Sequence, residues 1–125
     1  MSALNLAQSL IRIKSISPND GGCFDILEPE LASLGFNVEK IKELNCETLL
    51  AKLGNKGKIF CYLGHTDVVP SGPEEEWSSH PFEANVIDGH LIGRGAADMK
   101  GSVAAFIEAL KIFLPACQEP EFQIW

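Results

Sequence analysis

Residues 59–63, Ile-Phe-Cys-Tyr-Leu, are apolar at every position and open directly into Gly64-His65-Thr66-Asp67. A strand with one wet face alternates apolar and polar residues. A run that is apolar throughout is expected of a strand covered on both sides, at the centre of a sheet with helices around it. The polar residues that follow then stand at the strand's carboxyl end, where open α/β sheets bind their ligands. One short stretch thus sets both the fold class and the place to look for chemistry.

The remaining elements agree with that frame. Ala3, Leu6, Ala7, Leu10 and Ile13 recur at helical spacing behind a Ser2 cap, and Pro18 closes the segment. A second helix is expected from about Gly22 to Leu34, on the stripe Phe24, Leu27, Leu31 and Leu34, with Gly35 as its C-terminal cap. Pro29 falls inside it, and a proline in a helix interior costs about 3 kcal/mol. The helix is either kinked there or begins at Glu28 with Pro29 in its first turn, and the sequence leaves both open. Strands are expected over 36–41, 48–53 and 58–63, the last two joined as a hairpin by Gly54-Asn55-Lys56-Gly57. Val86-Ile87, Asp88-Gly89 and His90-Leu91-Ile92 make a short hairpin. After a Gly93–Gly101 loop comes a strong helix carrying Val103, Phe106, Ile107, Leu110 and Leu114 and ended by Pro115. Glu121–Trp125 opens another strand. Helices interleaved with strands, without linker or repeat, make a layered α/β fold.

Charge and cysteine usage exclude several functions. The net charge is -7 and Lys and Arg are scattered, which argues against nucleic acid and against an anionic membrane as partner. No apolar segment reaches the roughly 18 residues of a membrane span, and Met1–Lys14 lacks the pattern of a secretory leader. Cys23, Cys46, Cys61 and Cys117 include no C-x-x-C pair, so neither a zinc ribbon nor a disulfide framework is expected. Cys61, inside the apolar run, reads as a small buried hydrophobe. The reading is a reduced, cytoplasmic protein.

His65, Asp67 and Asp98 carry the candidate chemistry. A neutral imidazole with carboxylates is a ligand set for a divalent metal such as zinc. Residues two apart in an extended segment point to the same side, so Asp67 can approach the His65 ring. A carboxylate bonded to the far nitrogen fixes the tautomer of a ligating histidine. His65 is then a metal ligand and Asp67 its orienting partner. The H-x-D pattern equally suits a loop cap. Asp98 follows Gly93-Arg94-Gly95-Ala96-Ala97, whose small residues admit close backbone approach, and precedes a helix, where it equally suits an N-cap. Competing motifs fail. The dinucleotide fingerprint lacks its third glycine, a P-loop needs Gly-Lys-Ser where residues 100–102 read Lys-Gly-Ser, and no G-x-S-x-G elbow exists. His80 and His90 read as surface residues, Glu74-Glu75-Glu76 as a solvated loop tip, and Trp77 and Phe82 as pins for that loop. Arg94 suits either an anionic substrate group or a structural salt bridge.

Gly64-His65-Thr66-Asp67-Val68-Val69-Pro70, the Trp77…Pro81-Phe82-Glu83 loop, Asp88-Gly89 and Gly93–Gly101 together resemble the M20 family of metallopeptidases and deacylases. The resemblance implies a layered α/β/α zinc-peptidase-like catalytic domain with a mixed sheet, of which residues 1–125 are the N-terminal portion. It implies a hydrolase of linear amides on a small-molecule substrate, with two zinc ions per subunit and cobalt as an alternative. His65 would ligate one zinc, Asp67 would be catalytic, and Asp98 would bridge both metals and be followed by a cis peptide bond. In the family pattern an adjacent Glu-Glu pair, further ligands and an inserted lid domain that mediates homodimerisation lie past the position of Trp125. The 125 residues alone are therefore expected to be inactive and to expose apolar faces of the sheet. A non-catalytic binding module is the alternative. Pro29 departs from the family pattern.

Overall fold

Ser2 caps the first helix as its sequence suggests, its hydroxyl accepting from the Asn5 N–H at 3.3 Å. The computed structural model describes residues 2–117 and 121–125. In chain order its elements are α1 (Ala3–Ile11), α2 (Cys23–Ser33), β1 (Asn37–Glu43), β2 (Cys46–Lys52), β3 (Lys58–Phe60), β4 (Asn85–Ile87), β5 (His90–Ile92), α3 (Gly101–Ala116) and β6 (Phe122–Ile124). Helix α2 runs through Pro29 from Cys23, so the later start at Glu28 is not taken. Its first turn is secured by Asp20, whose carboxylate accepts from the Gly22 and Phe24 N–H groups at 2.9 and 3.1 Å. Helix α3 passes one residue beyond Pro115. Among the described residues no helix is long and apolar enough to cross a membrane.

The apolar stripes read from the sequence meet one another. Leu6, Ala7 and Leu10 of α1 pack with Cys23 and Leu27 of α2 and with Val103, Ala104 and Ile107 of α3. A second cluster, built on Phe36, Leu110 and Ile124, seats α3 against the sheet. Each large aliphatic side chain so buried contributes about 1.5–3 kcal/mol relative to exposure.

Strand order differs from expectation. The hairpin is β1–β2, closing at Glu43↔Cys46, and no hairpin joins β2 to β3. Strand β6 lies between them instead. Leu53, just past β2, pairs antiparallel with Ile124, and β6 pairs parallel with β3 from Lys58↔Phe122 to Phe60↔Ile124. The Gly54–Gly57 turn makes room for the inserted strand. Gly57 has φ +74°, and a Cβ there would run into the Glu121 carbonyl. Local turn chemistry marks a reversal, but it cannot say which strand fills the neighbouring slot. The sheet is mixed, as expected, and β4–β5 form the anticipated hairpin across Asp88-Gly89.

The apolar run is covered only in part and from one face, where Phe60 itself stays 58% exposed. Phe60 and Tyr62 turn towards Phe106 of α3, with ring centroids 6.3 and 4.1 Å apart. Ile59 and Leu63, on the alternate side, are 50% and 88% exposed. Cys61 shares that side and is exposed, which corrects its reading as a buried hydrophobe. The reason is architectural: α3 lies on one side of the strand, and no described element packs over the other. All four cysteines are free thiols.

Candidate metal site

The ladder of β3 ends at Phe60, and one further bond, from the Tyr62 N–H to the Trp125 carbonyl at 2.9 Å, carries the chain on towards Gly64. Residues 65–68 are then fastened to the segment that leaves α1. The buried Ser15 hydroxyl donates to the Thr66 carbonyl at 2.7 Å, and the Val68 N–H donates to the Ser15 carbonyl at 2.8 Å. Asp98 arrives from the other direction, in the irregular turn Ala96–Lys100 that precedes α3. Gly95, at φ +86°, lets this turn lie directly on the first strip, since a Cβ there would stand 2.6 Å from Val68 Cγ1. The Asp98–Met99 peptide bond is cis, as the family resemblance implies.

His65, Asp67 and Asp98 therefore converge. His65 Nε2 lies 3.1 Å from Asp98 Oδ1. His65 Nδ1 lies 3.0 Å from the Asp67 main-chain carbonyl and 3.5 Å from its carboxylate Oδ1. The sequence reading anticipated the carboxylate as partner, whereas the nearer acceptor is the backbone oxygen. Spacing along the chain predicts which side chains share a face, but not a ring folded back over its own main chain. Both ring nitrogens face oxygens that accept, the Asp67 carbonyl at Nδ1 and the Asp98 carboxylate at Nε2, so the two contacts orient the ring between them. Asp98 itself is 86% exposed and does not cap α3.

These residues line a cleft of about 320 Å³, together with Ser17, Trp77 and Arg94. A larger groove of about 460 Å³ between β3, β6 and α3 is lined by apolar side chains and offers no reactive group. Trp77 holds the Pro70–Pro81 loop by donating Nε1–H to the Ser71 carbonyl at 3.1 Å, and Phe82 is buried beneath it. Arg94 stacks over the Trp77 ring at 5.1 Å and donates Nη2 to the same Ser71 carbonyl at 3.3 Å. Among the described residues it makes no salt bridge, and its buried Nε has no partner. His80 faces Glu74 at 3.2 Å, and His90 bonds the Asp88 carbonyl, both outside the cleft. Glu74–Glu76 form an exposed single turn.

Two residues near the site carried no signal in the sequence. Lys100 is wholly buried, and its ammonium donates to the Leu10 and Ile13 carbonyls at 2.8 and 2.9 Å, at the C-terminal end of α1. Burial lowers its pKa, against the opposing pull of Cys23 and Asp20. Ser17 donates its hydroxyl to Asp67 Oδ2. Both contacts join segments far apart in sequence.

The donor set fits a metal in part. Two ligands on one tetrahedral ion at 2.0–2.2 Å lie roughly 3.3 Å apart, close to the 3.1 Å between Nε2 and Oδ1. Both residues line the cleft. Among the described residues no group of three or more His, Cys, Asp or Glu is placed to hold an ion, so the site offers two donors and lacks a full shell.

Residues 61–124 match the family model for peptidase family M20/M25/M40. The chain belongs to this family. Relatives named succinyl-diaminopimelate desuccinylase are 49% identical over 111 residues in Marinobacter nauticus and 50% identical over 113 residues in Nitrosomonas eutropha. Those alignments cover 89% and 90% of this chain, which spans 30% of the length of either relative. Human carnosine dipeptidase 1 superposes with a TM-score of 0.82 at 28% identity, over 98% of this chain and 30% of that one. An M20 metallo-carboxypeptidase from Sulfolobus solfataricus superposes at 0.83, over 99% of this chain and 29% of its own, and at 24% identity speaks for the fold alone. The mixed sheet and packed helices are thus part of the M20 catalytic-domain fold.

Proposed function

We propose that residues 1–125 form part of the metal-dependent catalytic domain of a di-zinc amide hydrolase, a succinyl-diaminopimelate desuccinylase. Its reaction would be N-succinyl-LL-2,6-diaminopimelate plus water to succinate and LL-2,6-diaminopimelate, a step of bacterial lysine and diaminopimelate biosynthesis in the cytoplasm. The observation that carries this reading is the meeting of His65 Nε2 and Asp98 Oδ1 on the cleft, 3.1 Å apart. The names of the relatives supply the substrate. Gly95-Ala96-Ala97 before Asp98 leans the same way, against acetylornithine deacetylase. As in the family pattern, the enzyme would be a homodimer, joined through a domain that these residues do not include.

His65 and Asp98 would hold zinc, or cobalt in its place. The bound ions would supply Lewis acidity at the scissile amide and activate the attacking water. With Nε2 on a metal, the Nδ1 proton would be held by the Asp67 carbonyl, and the Asp67 carboxylate would stabilise the positive charge on the ring. Asp98 has a second oxygen available for a second ion. Trp77 and Arg94 also line the cleft.

The test is zinc binding by the full-length protein and its His65→Ala variant, measured by competition with a chromophoric chelator. Loss of a direct ligand should weaken binding by more than the roughly 10–100-fold typical of an outer partner. Unchanged affinity and stoichiometry would refute the assignment. In the same assay residues 1–125 alone, with two donors, should hold zinc weakly and release no succinate. Sustained turnover by them would overturn that part of the reading.

A further inference from the structure

His65 and Asp98 lie on separate strips of chain, and both strips are tied to the end of α1. Two residues past Asp98, Lys100 is wholly buried, and its ammonium donates to the Leu10 and Ile13 carbonyls at 2.8 and 2.9 Å. The same Ile13 carbonyl accepts from the Ser15 N–H at 2.9 Å. Ser15 is wholly buried as well, and its hydroxyl donates at 2.7 Å to the carbonyl of Thr66, the neighbour of His65. The Ser15 carbonyl in turn accepts from the Val68 N–H at 2.8 Å. A short path of hydrogen bonds thus runs from Lys100 through Ile13 and Ser15 to the residue beside His65.

Burial makes this joint specific. Neither polar group has water as an alternative, so each is held to its protein partner. Gly21 closes over the joint, since a Cβ there would stand 3.0 Å from Ile13 Cγ2 and 3.1 Å from Ser15 Cα. On the other side of Asp98, Gly95 lies against Val68 and gives the strips a second contact. The side chains of His65 and Asp98 are 47% and 86% exposed, so close packing around them does not fix where they stand. Their 3.1 Å approach is set by the strips that carry them. An ion with fixed bond lengths tolerates little error in that placement. We propose that Lys100 and Ser15 are positioning residues for the metal site, which set the separation of His65 and Asp98 from the end of α1. The inference rests on the reading of His65 and Asp98 as metal ligands.

Lys100→Met and Ser15→Ala, each made in the enzyme proposed above, test it. Ser15→Ala removes a single hydroxyl and is the milder change. Leu27→Ala removes buried volume from α2 and none of these hydrogen bonds, and so controls for lost stability alone. Two measurements are made on the folded proteins: the Nε2–Oδ1 separation in metal-free crystals, and cobalt binding, whose visible spectrum reports coordination geometry. Each positioning variant should lengthen the separation past hydrogen-bond distance, lower cobalt affinity about tenfold and alter the spectrum. Leu27→Ala should leave all three at wild-type values. Wild-type separation and spectrum in either positioning variant would overturn the role of that residue, and a Leu27→Ala protein as altered as they are would overturn both. His65→Ala separates the inference from the reading beneath it. If it weakens cobalt binding while Lys100→Met and Ser15→Ala change nothing, the positioning role alone is refuted. If it leaves cobalt binding intact, the metal reading fails, and the separation in metal-free crystals still decides on the two residues.

Discussion

Lys100→Met tests whether a buried ammonium holds the site turn to α1. Methionine matches the unbranched length of lysine, so little cavity opens and the change isolates the polar end. Lost are two hydrogen bonds from a charged donor, at 2.8 Å to Leu10 and 2.9 Å to Ile13. Such bonds contribute about 1.5–3 kcal/mol each. Three effects reduce the loss. The Leu10 carbonyl keeps a bond from the Ile13 N–H at 3.1 Å, and the Ile13 carbonyl keeps one from the Ser15 N–H at 2.9 Å. The desolvation cost of the ammonium also disappears, and burial is the main influence lowering its pKa. The bonds win this comparison, because a positive charge at a helix C-terminus also interacts favourably with the carbonyl dipoles there. The expected net destabilisation is about 2 kcal/mol. Urea unfolding of the protein, followed by tryptophan fluorescence, measures it as a lowered midpoint at unchanged slope. A variant as stable as the parent, or more so, would mean that burying the charge costs more than its bonds return, and would refute the reasoning.

Gly57→Ala should destabilise well beyond Gly72→Ala, although both glycines have nearly equal positive φ, +74° and +76°. Gly72 has open space around its missing Cβ and should show only the left-handed backbone cost of about 1–2 kcal/mol. At Gly57 the Cβ meets the Glu121 carbonyl and should also break the β3–β6 pairing, so equal urea midpoints for the two variants would refute the inserted-strand topology. Cys23 is fully buried and burial raises its thiol pKa, so an aromatic disulfide reagent should modify exposed Cys46 in the native protein and Cys23 only on unfolding. Labelling of Cys23 at the rate of Cys46 would contradict the packing of α2 against α1 and α3.

The sequence by itself determined the local elements and the identity of the metal-site candidates. Helical spacing in α1 and α3, the Asp88-Gly89 hairpin and the final strand were legible because each depends on neighbours a few residues away. His65, Asp67 and Asp98 were legible because their residue types and glycine-rich surroundings are themselves chemical information. Only the tertiary structure decided which strand lies beside which. Strand β6 takes the slot between β2 and β3 because a carbonyl can approach the bare Cα of Gly57, a long-range fit that no local pattern encodes. The single-sided cover of Ile59–Leu63 was equally out of reach, since an apolar run states what a strand can bury and not what arrives to bury it. Likewise Ser15 and Lys100 gain their roles from contacts across 51 and 90 residues of chain. A hydroxyl and an ammonium look ordinary in a sequence, and their meaning here comes from the carbonyls that folding places beside them.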